Sequence, residues 1–341
     1  MSWFPERQQH SWLQRTCGSI LKAGPIPKHV GIIMDGNRRF ASKNSMDRAE
    51  GHLRGFDKLA DTLDWCLNLG ITEVTVYAFS IENFKRSKDE VSCLMELARQ
   101  KFERLMQEKD MLQKHGVCIR VLGDIKLLPL DIQQNIAEAV NFTKNNKRAI
   151  LNVCFAYTAR DDMCHAMREL ASGVSQGLIR ESDISEDLLQ KCMYTSSCKQ
   201  LDLLIRTSGE VRLSDFLLWE SAFSCLAFVK VLWPEFSVWH LYAAILHYQR
   251  NHQALQNARQ SSKLEQDQLT RESDYRSVME ELDKQADEKD KLQERISVQD
   301  RVQQYATLRQ ARINTFLNQL EAERTNMLEN MVSKRPVSCA S

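Results

Sequence analysis

The sequence is poor in the features that would assign it quickly. Its 46 Lys and Arg are balanced by 45 Asp and Glu, leaving a net charge of +1. Without a basic excess there is no overall field to collect phosphate backbones, which argues against a general nucleic-acid binder and makes any anion site local. No apolar run approaches the ~18 residues of a membrane span. The N-terminus lacks the basic segment and continuous apolar stretch of a secretory signal. Among the ten cysteines there is no C-x-x-C pair and no Cys/His cluster at zinc spacing. Several lie in apolar runs such as LNVCFAY, where a thiol acts as a small hydrophobe, so a reduced, cytosol-facing chain is expected. No G-x-G-x-x-G follows the first strand, which argues against a dinucleotide enzyme. Glycine is absent beyond Gly209, and the last ninety or so residues carry one proline, Pro336.

What is present alternates. HVGIIMD (29–35), EVTVYAF (73–79), VCIRVLG (117–123), ILNVCFAY (150–157) and DLLIR (202–206) read as buried strands. Between them lie helical periodicities over 52–69, with Gly70 as C-cap, and over 130–143, 160–175 and 238–258. Ser87 and Glu90 have the capping-box spacing that opens a helix towards His115. Strands alternating with helices predict an α/β fold with a mostly parallel sheet covered by helices. The composition shift near residue 250 separates a folded domain (25–250), preceded by an N-terminal amphipathic segment (1–24), from a charged helical extension (251–341). The first segment carries Trp3, Phe4, Trp12, Leu13, Cys17, Ile20 and Leu21, a face suited to a membrane interface, to shielding the mouth of a site or to packing on its own domain.

Parallel sheets place their sites at the carboxyl ends of the strands. Here those ends read Asp35-Gly36-Asn37-Arg38-Arg39, Ser80-Ile81-Glu82-Asn83 through Arg86, and Arg206 through Arg212 and Ser214, with Arg48 and His52 close behind the first. Guanidiniums match phosphate oxygens bidentately, so arginines at successive strand ends predict more than one diphosphate. Asp35 is placed to hold a divalent cation against phosphate oxygens. Each element has a plainer alternative: Asp-Gly-Asn as a capping turn, His52 as an ordinary helix residue, Ser214 as the cap of an FLLW helix. Asp161-Asp162-Met163-Cys164-His165 lacks the third aspartate of an aspartate-rich metal motif and reads as a helix start. Phe56, Leu59, Leu63, Trp65, Leu94, Met95, Ala98, Phe102 and Leu105 suit either a tunnel wall or plain core.

The stretches HVGIIMDGNRR, EGH, YAFSIENFKR, LIRTSGEVRLSDFLLW and VLWPEF resemble those of the cis-prenyltransferases, the undecaprenyl and dehydrodolichyl diphosphate synthases, over roughly residues 25 to 250. The N-terminal segment and charged tail resemble the eukaryotic branch. The resemblance implies a hydrophobic tunnel and condensation of farnesyl diphosphate with successive isopentenyl diphosphates in cis. The product would be a long-chain polyprenyl diphosphate for dolichol synthesis and protein glycosylation, made with Mg2+. It also implies roles. Asp35 becomes the catalytic carboxylate for metal and diphosphate; Gly36, Asn37, Arg38 and Arg39 hold the allylic diphosphate, with Arg48 and a catalytic His52 nearby, and Arg86 also contacts phosphate. Ser80 and Asn83 assist the reacting centre, and Arg206, Arg212 and Ser214 bind isopentenyl diphosphate.

Two departures stand out. Cys225 falls where single-subunit relatives have a second metal-binding glutamate. Nothing after His252 supplies the R-x-G segment that those relatives reach across a dimer interface. The resemblance therefore implies a heteromer with a Nogo-B receptor type subunit, held peripherally on the cytosolic face of the endoplasmic reticulum membrane. The charged extension is expected to form a helical hairpin that helps pair the subunits, or else a partly disordered tail. A subunit that kept the fold only as a non-catalytic diphosphate-binding scaffold is the alternative reading.

Overall fold

The computed structural model describes residues 11–285 and 294–333. Trp3, Phe4, Pro336 and Cys339 lie outside them. Six parallel strands form one sheet: β1 (His29–Ile33), β2 (Glu73–Ser80), β3 (Val117–Leu122), β4 (Ala149–Tyr157), β5 (Leu203–Arg206) and β6 (Cys225–Phe228). Their order is β3-β4-β2-β1-β5-β6. The helices are α1 (Trp12–Lys22), α2 (Asn37–Lys43), α3 (Arg48–Leu69), α4 (Lys88–Gln107), α5 (Lys109–His115), α6 (Leu130–Thr143), α7 (Ala159–Ser175), α8 (Glu186–Cys192), α9 (Val238–Gln285) and α10 (Glu294–Ser333). Every residue of β1 is buried, as a central strand covered on both faces requires.

The chain forms two compact units. One comprises residues up to Asp161, Cys198–Leu255 and the chain from Met327; the other comprises Asp162–Ser197 and Gln256–Asn326. The first holds the sheet and one continuous apolar core. Val30, Ile32, Val76, Ile119, Leu203 and Ile205 from the strands meet Leu59, Phe102, Ile132 and Leu241 from the helices. In the second, the buried carboxylate of Asp183 receives two bonds from Arg312, 3.0 Å from Nε and 2.7 Å from Nη2. Arg309 pairs with Asp274 at 2.8 Å. Buried Asp162, in the first turn of α7, accepts the N–H of Tyr194 at 2.7 Å and so ties that helix start to the turn that follows α8.

The expected strands and principal helices are found, and Gly70 closes α3 in the left-handed conformation. Three local features differ. The helix from Ser87 ends at Gln107 and restarts as α5 after Glu108. β6 joins the sheet. No helix forms at Phe216–Trp219: Ser214, Asp215 and Leu217 instead have φ of 51°, 60° and 46°, so Ser214 caps nothing there. Among the described residues no helix is long and apolar enough to cross a membrane, and no two cysteines form a disulfide.

Helices α2 and α3 meet over glycine. A Cβ on Gly51 would lie 2.7 Å from the Asn37 carbonyl oxygen and 2.9 Å from the Ala41 Cβ. Gly51→Ala must therefore push α2 away from α3. Its expected cost is about 1–3 kcal/mol, read as a lower urea midpoint with an unchanged m-value.

Candidate active site

β1 delivers Asp35 just past its carboxyl end. The turn into α2 needs Gly36, whose φ is +112° and whose absent Cβ would sit 3.0 Å from the Leu232 backbone. The Asp35 main chain is fixed on several sides: its N–H donates to the Ile33 carbonyl, and its carbonyl accepts from the Trp233 N–H at 3.0 Å and the Thr207 Oγ1 at 2.7 Å. On the neighbouring strand Arg206, in register with Ile33, is 3% exposed. Its Nη2 donates to Asp35 Oδ2 at 2.9 Å, and its Nη1 donates to Ser214 Oγ at 2.6 Å and to the Arg212 carbonyl. Arg39 comes within 3.7 Å of the same Asp35 oxygen and donates to Ser208 Oγ at 2.6 Å. Burial works to raise the Asp35 pKa. Hydrogen bonds from Arg206 and Ser208 and the charges of Arg206 and Arg39 outweigh it and hold the carboxyl below the usual aspartate value.

A second cluster is organised by Glu90. Its nearly buried carboxylate lies 2.7 Å from Arg86, 3.6 Å from Arg48 and 3.7 Å from Arg38. β2 ends in a turn that fixes the two expected reacting-centre residues: the Ser80 N–H donates to Asn83 Oδ1 at 3.0 Å, and Ser80 Oγ accepts the Glu82 N–H at 3.2 Å. His52 stands behind them on α3. Burial lowers its pKa, and the positive Arg86 and Arg38 lower it further against the opposing charge of Glu90, which favours a neutral imidazole.

One cleft of about 1170 Å3 gathers Asp35, Gly36, Asn37, Arg38, Arg39, Arg48, His52, Ser80, Asn83, Arg86, Arg206, Arg212 and Ser214. All thirteen residues that the sequence offers as phosphate, metal or reacting-centre ligands therefore line the same space. Three buried polar atoms on these residues have no partner among the described residues: Asn37 Oδ1, His52 Nε2 and Arg206 Nε. Three such atoms on the wall of one cleft suit a polar ligand. Sequence reasoning missed the carboxylates that hold the arginines. Glu210 lies 2.5 Å from Arg212 and 3.7 Å from Arg39, and Asp215 pairs with Arg160 at 2.8 Å. Glu90, four residues after Arg86, had a helical pairing signal that could have found it. Tyr77, also on the cleft, donates to the Tyr157 and Ser214 carbonyls at 3.2 and 3.3 Å.

Below the cleft, apolar space continues between the sheet, α3 and α4. A cavity of about 140 Å3 shares Met34, Asn37, His52, Ala78, Phe79 and Leu94 with the cleft wall, and Phe56, Leu59, Ala98 and Phe102 also line it. A further cavity of about 160 Å3 is lined by Leu63 and Leu105 and reaches the amino ends of β2, β3 and β4. Trp65 and Met95, by contrast, are buried core and line neither. Cys225 is also elsewhere. It opens β6, paired with Leu203 at the amino end of β5, while the cleft lies past the carboxyl end at Arg206. Its thiol, raised by burial, is neutral.

The chain matches the family profile described as undecaprenyl diphosphate synthase over residues 33–256. It is 55% identical over 334 residues to the dehydrodolichyl diphosphate synthase complex subunit DHDDS of Homo sapiens, covering 97% of this chain and 98% of that relative. It is 44% identical over 237 residues to the tritrans,polycis-undecaprenyl-diphosphate synthase (geranylgeranyl-diphosphate specific) of Methanopyrus kandleri, covering 70% and 87%. Among solved structures, lavandulyl diphosphate synthase from Lavandula x intermedia, in complex with dimethylallyl diphosphate, aligns with a TM-score of 0.62 at 32% identity. That alignment covers 66% of this chain and 95% of that one. The chain belongs to this family of prenyltransferases.

The family uses a divalent metal. No group of three or more His, Cys, Asp or Glu stands together as a cation cage among the described residues. What the site offers at the end of β1 is the ionised carboxylate of Asp35, in a cleft ringed by arginines and by the carboxylates of Glu82, Glu210 and Asp215. That donor set fits a hard cation such as Mg2+, which binds through one or two carboxylates and completes its shell with substrate phosphate and water.

The depressed Asp35 pKa has a pH signature. Its contribution to stability is fully present above the unfolded aspartate value of about 3.9 and is lost as pH falls through the lower folded value. Urea titrations between pH 6 and 3 should show a smaller acid loss in Asp35→Asn than in wild type. Equal losses would mean that Arg206 does not hold the carboxyl down.

Proposed function

We propose that this chain is the catalytic subunit of a dehydrodolichyl diphosphate synthase. It is a cis-prenyltransferase that condenses farnesyl diphosphate with successive isopentenyl diphosphates into a long-chain polyprenyl diphosphate, the precursor of dolichol for protein glycosylation. The observation that carries this reading is the pairing of Arg206 with Asp35 across β1 and β5, with one arginine cluster on each side of it. A scaffold needs one anion site at most. Two clusters meeting at one carboxylate suit two diphosphates brought together.

The chemistry asks little covalent work of the protein. The C1–O bond of the allylic diphosphate breaks and pyrophosphate leaves with its electron pair, the isopentenyl alkene forms the new C–C bond at C1, and C2 of the isopentenyl unit loses a proton, whose C–H electrons make the new double bond. Stabilising the leaving negative charge is the main task. The cluster of Arg38, Arg39, Arg48 and Arg86, with the Gly36–Asn37 turn and neutral His52, binds and orients the allylic diphosphate. Arg206, Arg212 and Ser214 hold the isopentenyl diphosphate. Ser80 and Asn83, locked to each other by their turn, border the reacting carbons. A bound Mg2+ held by Asp35 would neutralise charge on the diphosphate oxygens. The apolar cavities beneath the cleft take the growing hydrocarbon.

The domain reading follows: residues 25–250 act as the catalytic domain, 1–24 as an amphipathic segment and 251–341 as the helical extension. The missing R-x-G supports completion of the site by a Nogo-B receptor type subunit, in a heteromer paired through the extension. The human relative is itself described as a complex subunit. On α1, Trp12 and Ile20 are exposed beside Arg15 and Lys22. An apolar face flanked by basic residues suits peripheral contact with a membrane, here the cytosolic face of the endoplasmic reticulum.

The test is incorporation of labelled isopentenyl diphosphate onto farnesyl diphosphate by the chain with and without the partner. Long products are expected with the partner and little or none without it. Chelation should abolish them and Mg2+ restore them. Arg206→Ala should lower kcat/KM by on the order of 10²–10³. No polymer under any condition would return the scaffold reading.

A further inference from the structure

Between the cleft and the deeper cavity the apolar wall is broken by one cation. Lys101 lines the cavity of about 140 Å3 among Phe56, Leu59, Leu97, Ala98 and Phe102. The residue is only 9% exposed. Lysine is almost never buried to this degree without a partner. Its Nζ sits over the Phe56 ring, 3.7 Å from the centroid. The other charged groups facing it are Asp57, Arg104 and Glu108.

The helices give this contact a direction. α3 and α4 both run from the cleft towards the amino end of the sheet: His52 lines the cleft and Leu63 the deeper cavity, as Leu94 and Leu105 do on α4. Helical side chains lean towards their own N-terminus. Lys101 therefore reaches back up the passage, and the ring it covers lies one turn below His52. A hydrocarbon entering from the cleft meets the ammonium in its first segment. A dry cavity of ~150 Å3 accepts a molecule about the size of benzene, so the space of about 140 Å3 takes little more than one five-carbon unit unless the wall moves.

We propose that Lys101 is a specificity-determining residue, a displaceable plug seated on Phe56 that makes the depth of the allylic pocket depend on ammonium position. A short allylic chain leaves it in place. A longer one must lift it from the ring towards Asp57, the neighbouring carboxylate on α3. Loss of the ring contact is then a penalty borne by long chains alone. This inference rests on the prenyltransferase reading of the cleft.

Binding separates the two. Calorimetry of the full-length chain, in the assembly that supports activity, would measure Kd for geranyl and geranylgeranyl thiodiphosphates, which do not ionise. In Lys101→Met the preference for the longer ligand over the shorter should rise on the order of tenfold, the scale of one desolvated cation–π contact. Affinity for the geranyl compound should stay unchanged. Phe56→Leu removes the seat and keeps the lysine; it should shift the ratio the same way, and it decides the matter if Lys101→Met fails to fold. An unchanged ratio in a folded variant overturns the plug while leaving the enzyme reading intact. Failure of wild type to bind either ligand overturns both.

Discussion

The ion pair between Asp35 and Arg206 is the constraint around which the cleft is built. A guanidinium only 3% exposed needs a counter-charge and hydrogen-bond acceptors. β1 and β5 supply them by placing Ile33 and Arg206 in register, so that the aspartate two residues beyond Ile33 meets the arginine that ends β5. Thr207 and Trp233 pin the aspartate backbone, and Ser214 and the Arg212 carbonyl take the other side of the guanidinium. The loop from Ser208 to Leu217 follows from this demand, with four non-glycine residues in left-handed conformations. Such backbone persists only where its surroundings fix it.

The two ends of the sheet use polar groups differently. At the amino end, His29, Thr75, Glu73 and Asn152 bond to one another: His29 Nε2 to Thr75 Oγ1 at 2.7 Å, and Asn152 Nδ2 to Glu73 Oε1 at 2.8 Å. At the carboxyl end, arginines are balanced by Asp35, Glu90 and Glu210, yet Asn37, His52 and Arg206 keep unmet atoms facing one cleft. One network closes the fold. The other is poised to exchange carboxylate for phosphate, since both offer oxygens to the same guanidinium forks. The apolar passage beneath the cleft gives that exchange a purpose, placing a diphosphate head at the strand ends and a hydrocarbon tail beneath α3 and α4.

Much of this was legible in the sequence because it is local. Buried strands announce themselves as β-branched runs, and a parallel sheet sends strand-end residues to a common edge, so all the expected phosphate ligands share one cleft. The rest depends on contacts far apart in the chain. Glu90 was visible as a helix cap, but its hold on Arg38 and Arg48 required the packing of α2 and α3. The FLLW stretch looks helical by composition, and the Ala159 and Arg160 N–H groups, which donate to the Asp215 carbonyl and carboxylate, override it. Counting from a motif placed Cys225 in a metal-ligand position without showing at which end of β6 it would lie. Lys101 interrupts an otherwise apolar helical stripe, and only the packing of another helix sets the Phe56 ring against it.

Simultaneous binding tests the central claim most directly. Calorimetric titration of isopentenyl diphosphate into the Mg2+-loaded chain already saturated with farnesyl thiodiphosphate asks whether the two arginine clusters are separate sites meeting at Asp35. The account predicts one isopentenyl diphosphate bound per chain with the allylic analogue still in place, and selective loss of that second event in Arg212→Ala. Competition between the two ligands for a single site would contradict it.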